Sequence, residues 1–222
     1  MKTLAVRQVA LTHFKNYHEA RFTFNDRFNL ISGRNGLGKT NLLDAIYYLS
    51  VGKSYFTPFD QRVVEQGESF FRLEGEVMKD SAMHHVLFKV QPGLTKTVTV
   101  DRIEINRISE HVGFIPIVFS APRDIELVTG SGQARRRYFD HLLCQMDPEY
   151  LKALMEYNYL LQMRNAALKN GFTDLRRVVQ TYDQQMAPYA QFIFEKRKWL
   201  IRVFEDNLQM AYLQLSEGRE EV

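Results

Sequence analysis

Short apolar or alternating runs fill the first half of the chain. Leu4, Val6, Val9 and Leu11, then Phe22 and Phe24, then Phe28, Leu30 and Ile31 are separated by polar turns and predict strands. Between Thr40 and Ser50 the period lengthens. Leu42, Leu43, Ile46 and Leu49 recur every three to four residues, which predicts a helix, with Gly52 as its stop. Alternation returns over Phe71–Val77, Val86–Val90 and Val98–Ile105, with Pro92-Gly93 as a turn. No crossover helix separates these runs, so they predict an antiparallel sheet. Phe114 to Ala121 is the most apolar window and reads as a buried strand, far short of the ~20 residues that a membrane-spanning helix needs.

The second half is helical. A loop at Gly130–Gly132 leads into Gln133–Met146; Asp147 then caps, and Pro148 occupies the first turn of, a helix reaching about Lys169, which Asn170-Gly171 ends. A second long helical stretch runs from about Asp174 to Leu215, where Pro188 should kink or break it. Two long antiparallel helices result. Leu154, Tyr157, Leu161, Ala166 and Leu168 form a packing stripe, a partner-binding helix being the alternative. There is no internal repeat or low-complexity linker, so the change of pattern alone sets a boundary near 130, dividing 1–130 from 131–222.

A chain of 222 residues has room for one or two domains. Hydrophobic residues at 45% and charged residues at 25% exclude a disordered, collagenous or coiled-coil chain. The net charge of +3 permits an anionic partner without demanding one. Cys144, the single cysteine, has no internal partner and fits a reducing cytosol. Residues 1–14 hold no apolar core of a signal peptide, so a cytoplasmic protein without a membrane segment is expected.

The strongest chemistry is Gly33-Arg34-Asn35-Gly36-Leu37-Gly38-Lys39-Thr40, a full match to the phosphate-binding pattern G-x-x-x-x-G-K-S/T. Phe28–Ser32 would supply the preceding strand and Thr40–Ser50 the following helix, the setting in which the motif works. Its glycines let consecutive amides turn toward phosphate oxygens, and the helix start adds a positive dipole end. Lys39 would reach the β and γ phosphates of ATP, and the Thr40 hydroxyl would complete a Mg2+ shell. Asn41 follows in the same turn, and Asp44, deeper in the helix, reads as structural.

Hydrolysis requires more: a strand-borne Asp for magnesium and an acid that orients water. No aliphatic run in the helical half ends in paired acids, so the catalytic residues stay unassigned and the chain reads as a fragment. Ser131-Gly132-Gln133 imitates the S-G-G-Q signature of ATP-binding-cassette subunits, but the residues after it, His141 to Pro148, are helix and cap where such a subunit has an acid-ended strand. Arg135, Arg136 and Arg137 point about 100° apart on a helix, which leaves core-bracing ion pairs and an anion contact equally open. His13, His18, His111 and His141 show no Cys or carboxylate at metal spacing, so structural zinc is not expected, and Phe22, Phe24, Phe70 and Phe71 read as sheet core, base-stacking being the minor alternative.

Four blocks resemble the RecF family of bacterial recombination mediators, relatives of the SMC-type ATPases. They are Leu11-Thr12-His13-Phe14-Lys15-Asn16-Tyr17, the loop and helix from Gly33 to Ile46, the stretch from Phe119-Ser120-Ala121-Pro122 to Arg135-Arg136-Arg137-Tyr138-Phe139-Asp140, and Gln162 to Lys169. Arg123 stands where the family usually has Glu, Thr129 where Lys is common and Phe56 where Arg is frequent, so these three positions inherit no metal or phosphate role. The resemblance implies an α/β fold: an ABC/SMC-type P-loop ATPase head lobe with an antiparallel β subdomain, followed by a helical lobe. It implies a weakly hydrolytic, ATP-dependent homodimer in DNA replication, the SOS response and recombinational repair. That dimer would bind single-stranded or gapped DNA and help RecO and RecR load RecA. Each nucleotide would lie between one subunit's phosphate loop and the other's signature, with Lys15 and Asn16 near the adenine or ribose side. A transporter-type ATPase subunit and a nucleotide-binding module without hydrolysis stand as alternatives.

Overall fold

A computed structural model describes residues 4–170 and 174–219, apart from the side chains of Arg123 and Asp206. The chain divides into two units, Met1–Phe119 and Ser120–Val222. The first is built on β1 (Leu4–Phe14), β2 (Tyr17–Thr23), α1 (Lys39–Val51), β3 (Phe71–Lys79), β4 (Ala82–Gln91), β5 (Thr95–Val100), β6 (Ile103–Glu104) and the short α2 (Ile108–His111). The six strands form one antiparallel sheet in the order β2-β1-β3-β4-β5-β6.

The register explains which face is the core. Ala20, Leu11, Leu73, Phe88 and Val98 stand side by side across five strands, and all but Ala20 are buried. Period-two alternation therefore places one continuous apolar row on one face. Helix α1 covers that row with Leu42, Ala45, Tyr48 and Leu49, Leu42 and Leu49 each contributing about 1.5–3 kcal/mol by leaving water. Tyr48 anchors it, its ring edge-on to Phe71 and Phe88 at 5.2 and 5.5 Å. Gly75 makes room for the helix, because a Cβ there would sit 3.0 Å from Leu49 Cδ1.

Two expected strands do not form among the described residues. Phe28–Ser32 lies outside the sheet, with Phe28 and Leu30 exposed and Asn29 hydrogen-bonded to the Asn25 backbone. A strand needs a partner edge, and β1 already has β2 and β3 on its two sides. Phe114–Ala121 likewise joins no strand of the sheet, although Ile115, Ile117 and Phe119 turn inward and Pro116, Val118 and Ser120 outward, as in an extended chain. The run Val98–Ile105 is two strands, since Asp101 and Arg102 both take positive φ and make the hairpin turn between β5 and β6.

The second unit holds α3 (Glu126–Thr129), α4 (Gly132–Met146), α5 (Pro148–Asn170) and α6 (Leu175–Leu215). Gly171, expected to help end α5, lies outside the described residues. Helices α5 and α6 are antiparallel: Arg164 meets Asp183 near the turn, and Tyr150 meets Phe192 farther from it. The α5 stripe is Tyr150, Ala153, Leu154, Tyr157, Leu161, Arg164 and Ala167. Ala166 and Leu168, expected inside, are exposed because the helical period reaches Ala167 instead. Helix α6 continues through Pro188 without a break; one missing amide is a local loss, while Met186, Ile193 and Leu200 on either side are buried. Asp140 accepts two hydrogen bonds from Arg197, at 2.7 and 2.8 Å, and one from the Tyr150 hydroxyl. Among the described residues no helix is long and apolar enough to cross a membrane.

Candidate nucleotide-binding site

The glycine loop joins the exposed 25–32 segment to α1, and its shape is set by backbone that side chains resist. Gly36 and Gly38 hold φ of 85° and 95°, in the left-handed region that costs other residues roughly 1–2 kcal/mol. At Gly38 space is also short: a Cβ would fall 2.6–2.9 Å from the Asn16 amide and the Tyr17 hydroxyl.

Gly38 is the N-cap of α1. It has no side chain to satisfy the first-turn amides, and no acidic residue stands in that turn. The unpaired N–H groups and the positive end of the helix are thereby left for an external anion. Lys39 Nζ donates to the Gly33 and Arg34 carbonyls at 2.7 and 2.8 Å, drawing the start of the loop over the helix. An ammonium has three donors, so one remains for a phosphate oxygen. Arg34, Asn35, Gly36, Leu37 and Thr40 are exposed, and Asn41 is half-buried.

The β1–β2 hairpin supports this loop from below. Asn16 Nδ2 donates to the Leu37 carbonyl at 3.4 Å, Asn41 Nδ2 donates to Asn16 Oδ1 at 2.7 Å, and the Tyr17 hydroxyl donates to the Gly38 carbonyl at 3.1 Å. Partial burial raises the Tyr17 pKa, keeping the hydroxyl a donor. Tyr17 is a site residue that sequence reasoning missed, because its tie to Gly38 crosses 21 residues.

Lys15 is directed elsewhere. Its ammonium lies 2.6 Å from Asp44 Oδ2, whose side chain is fully buried in α1. The Ser54 hydroxyl and the Tyr55 amide donate to the same carboxylate at 2.7 Å each. Asp44 is thus structural in a specific sense, a buried anion neutralised by Lys15 and fixing the turn after α1. Phe56 lies under the Lys15 ammonium at 5.2 Å and joins Tyr55 and Phe119 in a ring cluster that also takes in Tyr47.

Thr129 and Arg135, in the second unit, bond to backbone nearby in the chain: the Thr129 hydroxyl bonds back to the Ile125 carbonyl, and Arg135 donates to the Leu127 and Gly130 carbonyls. The Arg123 side chain lies outside the described residues. The histidines require a correction: His13 and His18 do have carboxylate partners, since both rings meet Glu65 at 3.0 Å, across 52 and 47 residues of chain. Sequence spacing hid them because the sheet, not a local motif, makes the encounter.

With this geometry in place, likeness to known proteins becomes informative. The profile of the RecF/RecN/SMC N terminal domain matches residues 5–56, the hairpin, loop and α1 together. A DNA replication and repair protein RecF from Phocaeicola vulgatus is 34% identical over 220 residues, covering 99% of this chain and 59% of its own length. A solved structure of the recombination mediator protein RecF with ATP, in the RecFOR pathway, superposes with a TM-score of 0.89 at 25% identity, over 97% of this chain and 58% of that one. A structure from work on ATP-driven dimerisation and DNA-stimulated activation of SMC ATPases shares the fold, with a TM-score of 0.50 at 18% identity, over 62% of this chain and 98% of that one. The chain spans about three fifths of the length of the curated relatives it matches. By sequence over nearly its whole extent and by fold, the chain belongs to the RecF family.

Proposed function

We propose that this chain is the nucleotide-binding portion of an ATP-dependent DNA replication and repair protein. Residues Gly33–Asn41 hold the triphosphate, with Lys39 between the loop carbonyls and the outer phosphates. Thr40, exposed on the first turn of α1, offers one hard oxygen to Mg2+, which takes its remaining ligands from phosphate and water. Asn16 acts on the loop from the β1–β2 hairpin, holding the Leu37 carbonyl. ATP drives pairing with a second copy. The dimer acts in the cytoplasm on single-stranded or gapped DNA with RecO and RecR during recombinational repair and the SOS response. What supports this reading is the likeness to RecF solved with ATP and, for dimerisation, to the SMC ATPases.

The observation that carries the proposal is the α1 N-terminus, which has neither side-chain cap nor first-turn acid and adjoins a lysine tied into the loop. Binding of a fluorescent ATP analogue, read by anisotropy with and without Mg2+, tests it. Lys39→Ala should abolish binding while circular dichroism stays unchanged; undiminished affinity would remove the phosphate-loop assignment. Light scattering with ATP and DNA tests pairing separately.

A further inference from the structure

His13, His18, Glu65 and Glu68 come from two distant stretches of chain, yet one donor atom of each lies within 4.8 Å of the others. Backbone pairing brings them together. The Lys15 amide donates to the Val63 carbonyl and the Glu65 amide to the His13 carbonyl, at 2.7 and 2.8 Å, so the 63–65 segment is tied to the end of β1. The hairpin turn at Lys15-Asn16 then returns His18 on β2 to the same place.

The side chains are held as well. His13 takes φ of 51°, uncommon for histidine, and its ring is wedged edge-on between His18 at 4.7 Å and Phe70 at 5.1 Å. Both Nδ1 atoms lie 3.0 Å from a single oxygen, Glu65 Oε2. Those separations approach the ~3.3 Å ligand–ligand edge of a tetrahedron with metal bonds of about 2.0–2.1 Å. Glu68 Oε2 stands 4.0 Å from His13 Nε2, on the side where an outer carboxylate orients a metal-bound imidazole. His13 and Glu65 are half-buried, whereas the His18 side chain is 73% exposed, giving an ion a way in.

We propose that His13, His18 and Glu65 bind a divalent transition-metal ion of the zinc class, with Glu68 orienting His13. Two imidazole nitrogens and one carboxylate oxygen suit Zn2+, while Mg2+ and Ca2+ favour oxygen alone. One dication replaces two N–H donors converging on one oxygen and clamps the hairpin to the 63–68 segment.

Chelator-stripped protein titrated with Zn2+ by calorimetry, and with Co2+ by visible absorption, tests the site. One equivalent should bind, and Co2+ should show the intense d–d bands of a tetrahedral N/O site. His18→Ala, a change at an exposed position that leaves the fold intact by circular dichroism, should weaken Zn2+ binding at least about tenfold, and Glu68→Gln should weaken it less. His84→Ala, outside the cluster, should leave binding unchanged. Absence of stoichiometric uptake, or uptake that His18→Ala and Glu65→Gln both leave unchanged, overturns the proposal and reduces the cluster to a hydrogen-bonded His–Glu group.

Discussion

Replacing Lys15 by Met separates two roles for this residue: neutralising a buried carboxylate, or touching nucleotide. Asp44 is fully buried and accepts from Lys15, Ser54 and Tyr55. Lys15→Met keeps the aliphatic stem and removes the only cation the structure places on that anion among the described residues. Removing one partner of a buried pair typically costs 3–5 kcal/mol. Two donors remain on Asp44, which puts the expected loss near the lower end, about 3 kcal/mol. In the double variant Lys15→Met/Asp44→Asn no charge is stranded, so part of the loss should return as a coupling of roughly 1–3 kcal/mol. Hydrogen exchange of the α1 and β1 amides under increasing urea is the suitable assay, because it reads the sheet unit and not the helical one. A loss below about 1 kcal/mol, or additive single effects, would refute the neutralising role. Weakened ATP binding at unchanged stability would put Lys15 at the nucleotide instead.

The glycine loop should distinguish backbone strain from crowding. Gly38→Ala adds a Cβ 2.6–2.9 Å from Asn16 and Tyr17, whereas Gly36→Ala has open space within 4 Å and only the strained φ. ATP-analogue affinity should therefore fall further for Gly38→Ala, and equal losses would discard the supporting role of the hairpin. His111 is fully buried; its Nε2–H donates to the Leu49 carbonyl at 2.6 Å, and Nδ1 has no partner among the described residues. Burial lowers its pKa, so the unfolded chain takes up the proton first. Its contribution is complete above the ordinary value of about 6.5 and declines as pH falls below it toward the depressed folded value. His111→Gln, which keeps a donor, should flatten exchange-derived stability of α1 between about pH 7 and 5; an unaltered slope would assign the titration elsewhere. In the helical unit, Arg197→Met strips two hydrogen bonds from Asp140 and should cost about 1–3 kcal/mol in urea unfolding followed by Trp199 fluorescence; no change would make that bidentate pair dispensable.

What could be read from residues alone, and what could not, divides by the range of the forces involved. The loop from Gly33 to Thr40 and the span of α1 were legible because positive φ, the 3.6 period and a glycine stop are local requirements, and the structure starts α1 at Lys39 and caps it with Gly52. The antiparallel sheet was legible for a similar reason, since burial alternates over Phe71–Val77 in β3 and over Val86–Val90 in β4. Phe28–Ser32 and Phe114–Ala121 carry the same local signal, yet neither is a strand, because an extended apolar run becomes one only when a second edge presents its amides and carbonyls. Periodicity reports the side chains' preference and is silent about that edge. The same limit hid the Lys15–Asp44 pair, the bond from Tyr17 to Gly38 and the convergence of His13 and His18 on Glu65. All of these lie around one two-residue turn, Lys15-Asn16, closed by the pairing of Phe14 with Tyr17. That turn sends an ammonium into the core, an amide and a hydroxyl to the glycine loop, and two imidazoles to a carboxylate. An insertion or deletion that changes its length would thus disturb all three at once, although none of Lys15, Tyr17, His13 and His18 belongs to the glycine motif by which the chain is recognised.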